Sequence, residues 1–214
     1  MEYFRNADGA VVVDTVIATI QENAAYLSEI DGAIGDGDHG INMKKGVTLC
    51  QEQLEGKTVD FATALKTLGR VLLTEIGGAM GPLYGTFFRE MAKVSKDQEQ
   101  IDAEVFLSML QAALAGVQSL GNAQVGDKTL VDTLAPAIDA YGSALKAGKS
   151  FEDALAEMKA AAERGKDSTK DLVAKVGRSS RLGERSRGVL DAGATSCWLI
   201  LQSMADSIPP LLHR

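Results

Sequence analysis

The chain has 214 residues, a formal net charge of −7 and a sequence pI of about 4.9. The length suits one domain with a core of its own, and the acidic balance argues against general binding to nucleic acid or to an anionic membrane surface. The two cysteines, Cys50 and Cys197, supply no disulfide framework. With no secretory leader or membrane-length apolar run in view, the expected location is cytoplasmic.

Residues from about Ala10 to Glu29 place Val13, Val16, Ile17, Ile20, Ala24 and Leu27 at three-and-four spacing, which predicts a helix with one apolar stripe. The stretch Ile30–Gly40 then holds Asp31, Asp36, Asp38 and four glycines. It reads as a loop shaped to bring carboxylates together, since glycine permits positive φ and close packing. In an extended chain Asp36 and Asp38 point to one side, and Asp31 folds back to join them. Hard oxygen ligands suit Mg²⁺ better than Zn²⁺. An EF-hand loop is a poor alternative, because the closing bidentate position counted from Asp36 is Val47. A solvated acidic turn is the plain competing reading. Against it stands the sequel, in which His39, Gly40, Ile41 and Asn42 open a second helix whose N-terminus attracts phosphate.

That helix runs to about Glu55, and Phe61, Leu65, Leu68 and Leu72 mark a third. The turn Gly77–Pro82 precedes a fourth helix with Pro82 as its first residue. A fifth runs from about Ala103 to Leu120, and after the loop Gly121–Lys128 a sixth begins near Thr129, with Pro136 expected to kink or divide it. Ser150 and Asp153 form the capping signature of a seventh. Residues 176 to 193 make a long loop rich in glycine and arginine, with too few apolar residues to fix itself in a core. The last helix spans Ala194 to Ser207. No segment shows convincing period-two alternation. The pattern predicts an all-α bundle of about eight helices. In an up-and-down bundle alternate connections share an end, which would gather the four unusual loops around one rim.

Four motifs in this order, Ile34–Met43, Gly77–Gly85, Gly126–Asp132 and Gly177 through Asp191 to Thr195, resemble the nucleotide-binding L subunit (DhaL) of bacterial dihydroxyacetone kinases over essentially the whole chain, 1–214. The resemblance implies an eight-helix antiparallel barrel with ADP or ATP and two Mg²⁺ ions at one end. Asp31, Asp36 and Asp38 match the family's metal ligands. His39, Gly40, Ile41, Asn42, Ala79, Met80, Gly121, Leu130, Arg178, Asp191, Ala192 and Gly193 match positions that hold the nucleotide. Arg178 would also offset transition-state charge, the catalytic role open to it.

The implied partners are a K subunit, which binds the triose through its own histidine, and in the phosphotransferase-system form a phosphocarrier M subunit. A homodimer is compatible with the sequence. The chain departs from the family's pattern at Met80, where a Ser is usual, at Arg181, where an aromatic is usual, and at Arg187-Gly-Val-Leu-Asp-Ala-Gly193, where Ile-Gly-His-Gln-Asp-Pro-Gly is usual. Arg181 and Arg187 are expected to face a partner or solvent. These departures leave open a keto-sugar other than dihydroxyacetone, such as a tetrulose. A nucleotide-loaded regulatory module would use the same residues.

Overall fold

The structure is a computed structural model that describes residues 2–213. Among them, eight α-helices follow one another: α1 (Ala10–Ile34), α2 (His39–Leu54), α3 (Phe61–Glu75), α4 (Met80–Ser95), α5 (Ala103–Gly121), α6 (Val131–Lys146), α7 (Phe151–Ser168) and α8 (Ala192–Ser207). Each packs against its neighbours in the chain, and α8 closes back on α1. The result is a closed antiparallel ring around one core. Its largest buried side chains include Phe61, Phe87, Phe88, Phe106, Tyr84 and Tyr141.

Helix α1 runs about five residues beyond the span expected from its stripe, because Ile34 is itself buried and holds the last turn against the core. Helix α4 starts at Met80, so Pro82 sits inside the first turn, where a missing N–H still costs nothing. Helix α6 is not divided by Pro136. A Cβ on Gly165 would lie 2.3 Å from the carbonyl oxygen of Asp132, the oxygen that proline leaves without its helical partner. Helix α7 packs close there, as only glycine allows. Helix α5 is long and apolar enough by length and composition to cross a membrane, unlike any run expected from the sequence. Here its Phe106, Met109, Leu110, Ala113 and Val117 face the core instead.

The end of the ring that carries the starts of α1, α3, α5 and α7 is tied by a short ribbon. Strand β1 (Tyr3–Arg5) pairs antiparallel with β2 (Gln100–Asp102), Phe4 opposite Ile101. Three residues per strand are too few to show alternation, so the ribbon leaves no mark in the sequence. Asn6 fastens it, donating from Nδ2 to the carbonyls of Ser95 and Gln98, both at 2.8 Å, and accepting at Oδ1 from the Ala62 N–H. His213 N–H also donates to the Tyr3 carbonyl at 2.8 Å. At this end Asp60, Asp102 and Ser150 cap α3, α5 and α7 with side-chain acceptors. At the opposite end α2, α4 and α6 have no side-chain cap.

Candidate functional site

The connections α1–α2, α3–α4, α5–α6 and α7–α8 all lie at that opposite end and surround a cavity of about 580 Å³. Its wall is apolar where Leu83 and Met80 of α4 face Val117 and Leu120 of α5. The polar side is built by Asp31, His39, Thr129, Arg178 and Asp191, and the starts of α4 and α8 open into it through Ala79, Met80, Ala192 and Gly193. Gly121 and Leu130 complete the lining on the α5–α6 side. The backbone N–H groups of Met80, Ala192 and Gly193 have no hydrogen-bond partner within the described residues. Unengaged N–H groups at two helix starts, with the positive ends of both helix dipoles, make a place for an anion.

At the rim, carboxylate oxygens of Asp31, Asp36 and Asp38 lie within 4.8 Å of one another. Asp31 belongs to the last turn of α1, and only residues 35–38 form the loop. Its carboxylate accepts from the His39 N–H at 3.3 Å. A Cβ on Gly35 would fall 2.3 Å from Asp31 Oδ1, so the missing side chain leaves the carboxylate its seat. Three oxygen donors so close, two of them on exposed residues, fit Mg²⁺ with open places for water or phosphate. Arg178 reaches across from the α7–α8 connection to an ion pair with Asp36.

The α2 start differs from the expected phosphate seat. The N–H groups of His39, Ile41 and Asn42 are taken by Asp31 Oδ2, Ser28 Oγ and the Asp38 carbonyl. Of the four residues from 39 to 42 only His39 lines the cavity. Gly40 is buried against α1, where a Cβ would stand 1.8 Å from the Ala24 carbonyl oxygen, and Ile41 is 66% exposed on the outer face.

Two site residues were not singled out from the sequence. His39 Nε2 meets Ser196 Oγ at 2.9 Å, and Ser196 Oγ meets the Tyr84 hydroxyl at 2.6 Å. Tyr84 donates to the Gly193 carbonyl at 3.0 Å. The two hydroxyls are buried, and through His39 they join the starts of α2, α4 and α8 beneath the cavity. Burial pushes the His39 imidazole down to about 4, so the ring is neutral at pH 7. A serine and a tyrosine within apolar helical stripes give no sequence signal of this kind.

Burial also pushes Asp191 up, to about 6, against the opposing influence of the Ala194 N–H and Lys128; Asp132 and Asp31 add to the rise. Asp191 caps α8, its Oδ2 accepting from the Ala194 N–H at 2.8 Å. Because its folded pKa lies above the ordinary 3.8, the stability this group contributes is full below about pH 4 and is lost as pH rises through 6. Asn also caps helices well. Asp191→Asn should therefore stabilise the ligand-free chain at pH 7.5 by about 1–2 kcal/mol, allowing for contact with solvent in the cavity. At pH 4 it should not. Thermal melts of both proteins at the two pH values measure it, and an equal effect at both would contradict the assignment.

The arginine loop is better fixed than its composition suggests. Ser186 is buried and its Oγ accepts from the Ala174 N–H at 2.9 Å, and Gly188 N–H donates to the Lys170 carbonyl at 2.8 Å. Arg187 faces solvent, as expected, and is tethered there by Glu184, Nε to Oε2 at 2.9 Å, and by the Asp171 carbonyl. Arg181 is exposed and, among the described residues, makes no hydrogen bond or ion pair.

The DAK2 domain profile matches residues 33–206. The chain is 41% identical over 186 residues to the ADP-binding subunit DhaL of PEP-dependent dihydroxyacetone kinase 1 from Listeria innocua, covering 86% of this chain and 88% of that one. It is 33% identical to the L-erythrulose kinase of Pectobacterium atrosepticum across 90% of its own length, but spans only 32% of that protein. In three dimensions it is similar to the dihydroxyacetone kinase of C. freundii in complex with AMP-PNP and Mg²⁺, with a TM-score of 0.70 and 24% identity over 94% of this chain and 34% of that one. At that identity the likeness concerns the fold.

Proposed function

Since the chain belongs to the DAK2 domain family, with the DhaL subunits of dihydroxyacetone kinases, we propose that it is the nucleotide-binding half of a kinase for a small keto-sugar. The observation that carries this reading is the meeting, at one cavity, of three clustered carboxylates with the unengaged N–H groups of Met80, Ala192 and Gly193. Carboxylates alone repel phosphate and free N–H groups alone do not hold a metal. Together they suit a magnesium nucleotide.

In this reading residues 1–214 act as one cytoplasmic domain. Asp31, Asp36 and Asp38 hold Mg²⁺, two ions as the family resemblance implies. Ala79–Met80 and Asp191–Gly193 receive the phosphates of ADP or ATP, and His39 is fixed beside them by Ser196. The apolar wall with Gly121 and Leu130 takes the base. Gly40, packed against α1, and the first turn it shares with Ile41 and Asn42 act as the footing of this arrangement. When bound, Mg²⁺ neutralises charge on the phosphates, which is most of what phosphoryl transfer asks of a protein. Arg178 adds a positive charge that can swing between Asp36 and the transferring group.

The sugar is carried by a separate K-type subunit. His39 is engaged by Ser196, and the other nitrogen base in the lining, Lys128, has its ammonium spent on backbone carbonyls. Neither is free to trap a carbonyl. A phosphocarrier M subunit as donor, with ADP kept as coenzyme, is the form that the Listeria relative's PEP dependence supports; self-association as a homodimer is compatible with it. The erythrulose kinase relative favours a tetrulose as a second sugar to try.

A coupled assay tests the whole. Purified chain, a K-type partner and Mg²⁺ are combined with dihydroxyacetone or erythrulose, and with ATP or a phosphorylated phosphocarrier. Sugar phosphate is expected with one donor and only when both subunits are present. Tight Mg–ADP binding without product under any combination would favour a nucleotide-loaded regulatory module.

A further inference from the structure

The α7–α8 connection is a strap, residues 172–190, that carries Arg178 over the aspartate cluster, and its two ends come together at one buried side chain. Lys128, on the α5–α6 loop, is 1% exposed. Its Nζ donates to the carbonyls of Thr169 at 2.6 Å, Leu172 at 3.2 Å and Val189 at 2.6 Å. An ammonium has three N–H groups, and all three are used. The first two carbonyls precede the strap or begin it, and the third lies near its end. A cation taken so far out of water is costly unless fully bonded, and Asp191 and Asp132 lie close enough to favour its charge.

The backbone bears a cost for the same contact. Lys128 has φ 62°, the left-handed region that non-glycine residues enter at about 1 kcal/mol or more. Asp132 holds the turn there, accepting at Oδ1 from the Gly126 N–H at 2.6 Å and at Oδ2 from the Thr129 N–H at 2.7 Å. A turn so determined by a buried carboxylate aims one long side chain at the strap's neck. Beyond the neck, Arg178 follows Gly177, which has φ 72°, and is itself exposed, paired only with Asp36 across the site among the described residues, so local packing does not fix the arginine. Its placement depends on how the strap is anchored.

We propose that Lys128 is a positioning residue: it gathers the neck of the strap so that Arg178 is held over the aspartates and the cavity. This rests on the nucleotide reading only for its effect on affinity. The anchoring itself can be read without nucleotide.

Lys128→Met, Arg178→Ala and the double variant are compared by calorimetric titration with Mg–ADP and by hydrogen exchange of amides 177–187 in the ligand-free chain. Positioning predicts that Lys128→Met weakens Mg–ADP about as much as Arg178→Ala does, roughly tenfold, and that the double variant is no weaker than either single one. It also predicts exchange at 177–187 at least tenfold faster in Lys128→Met and unchanged in Arg178→Ala. Additive losses of affinity, or unchanged exchange in Lys128→Met, would overturn it. If Arg178→Ala alone leaves affinity intact, the nucleotide role of Arg178 is what fails, and the exchange result decides the proposal. Should Lys128→Met not fold, Lys128→Gln keeps two donors at the neck and is read by the same two measurements.

Discussion

Replacing Asp36 and Asp38 together by Asn is expected to reduce Mg–ADP affinity at least a hundredfold while leaving the helical fold intact. The two carboxylates lie with Asp31 inside a 4.8 Å cluster on a short loop, and neither packs into the core. Each interaction with a charged partner contributes about 1.5–3 kcal/mol, so losing two removes about 3–6 kcal/mol, a factor of roughly 10² to 10⁴ in affinity. The ion pair of Asp36 with Arg178 disappears too, but both groups are exposed and such pairs contribute little. The ligand-free melting temperature should hold or rise slightly, because mutual repulsion among three carboxylates is relieved. Titration calorimetry with Mg–ADP, alongside melts with and without ligand, gives the answer. Unchanged affinity would sink the metal assignment.

Gly40→Ala is expected to have the largest effect on the fold itself. Its new methyl would stand 1.8 Å from the Ala24 carbonyl oxygen and 2.7 Å from Ser28 Oγ. The first of these is backbone in the middle of α1, so a rotamer change cannot relieve it. Helix α2 must move away from α1, opening a core lined by Ile20, Leu27, Met43 and Val47. Overpacking of this kind costs about 1–3 kcal/mol and more where backbone has to shift; a loss near 4 kcal/mol in urea unfolding is the expected result. Because Asp38 and His39 immediately precede Gly40, magnesium-nucleotide affinity should fall as well. A variant as stable as the parent would mean that the two helices do not approach this closely.

Gly40 also shows how far the sequence could be read. Apolar stripes and glycine-rich connections were enough to predict an all-α bundle of about eight helices, the family resemblance implied its antiparallel closure, and the spacing of Asp36 and Asp38 was enough to predict a carboxylate cluster. The family resemblance placed Gly40 among nucleotide contacts, and the fold shows a further reason for glycine there, a close contact between helices. Asp31 and Gly32 look like the beginning of a loop, and only the burial of Ile34 explains why α1 continues past them. Ser196 and Tyr84 are separated by 112 residues and lie within core-facing stripes, so their meeting with His39 depends on ring closure, which no local pattern encodes. Lys128 and Arg187 stand in polar loops whose sequence does not show what holds them, though Arg187 is exposed as expected. Three backbone carbonyls bury the first, and a glutamate with one carbonyl tethers the second, because loops have backbone acceptors to satisfy even where they lack apolar side chains.

The closure of α8 on α1 also sets when, during synthesis, the site comes into being. The three aspartates leave the ribosome ahead of α8, with helices α2 to α7 still to come between them. The pocket they border lacks its floor until α8 has followed, since Ser196 and the Ala192–Gly193 amides belong to that last helix. Contacts between elements far apart in sequence are slow to form. A nascent chain therefore carries an open acidic loop while α2 to α7 are made, and the pocket closes only as α8 docks on α1.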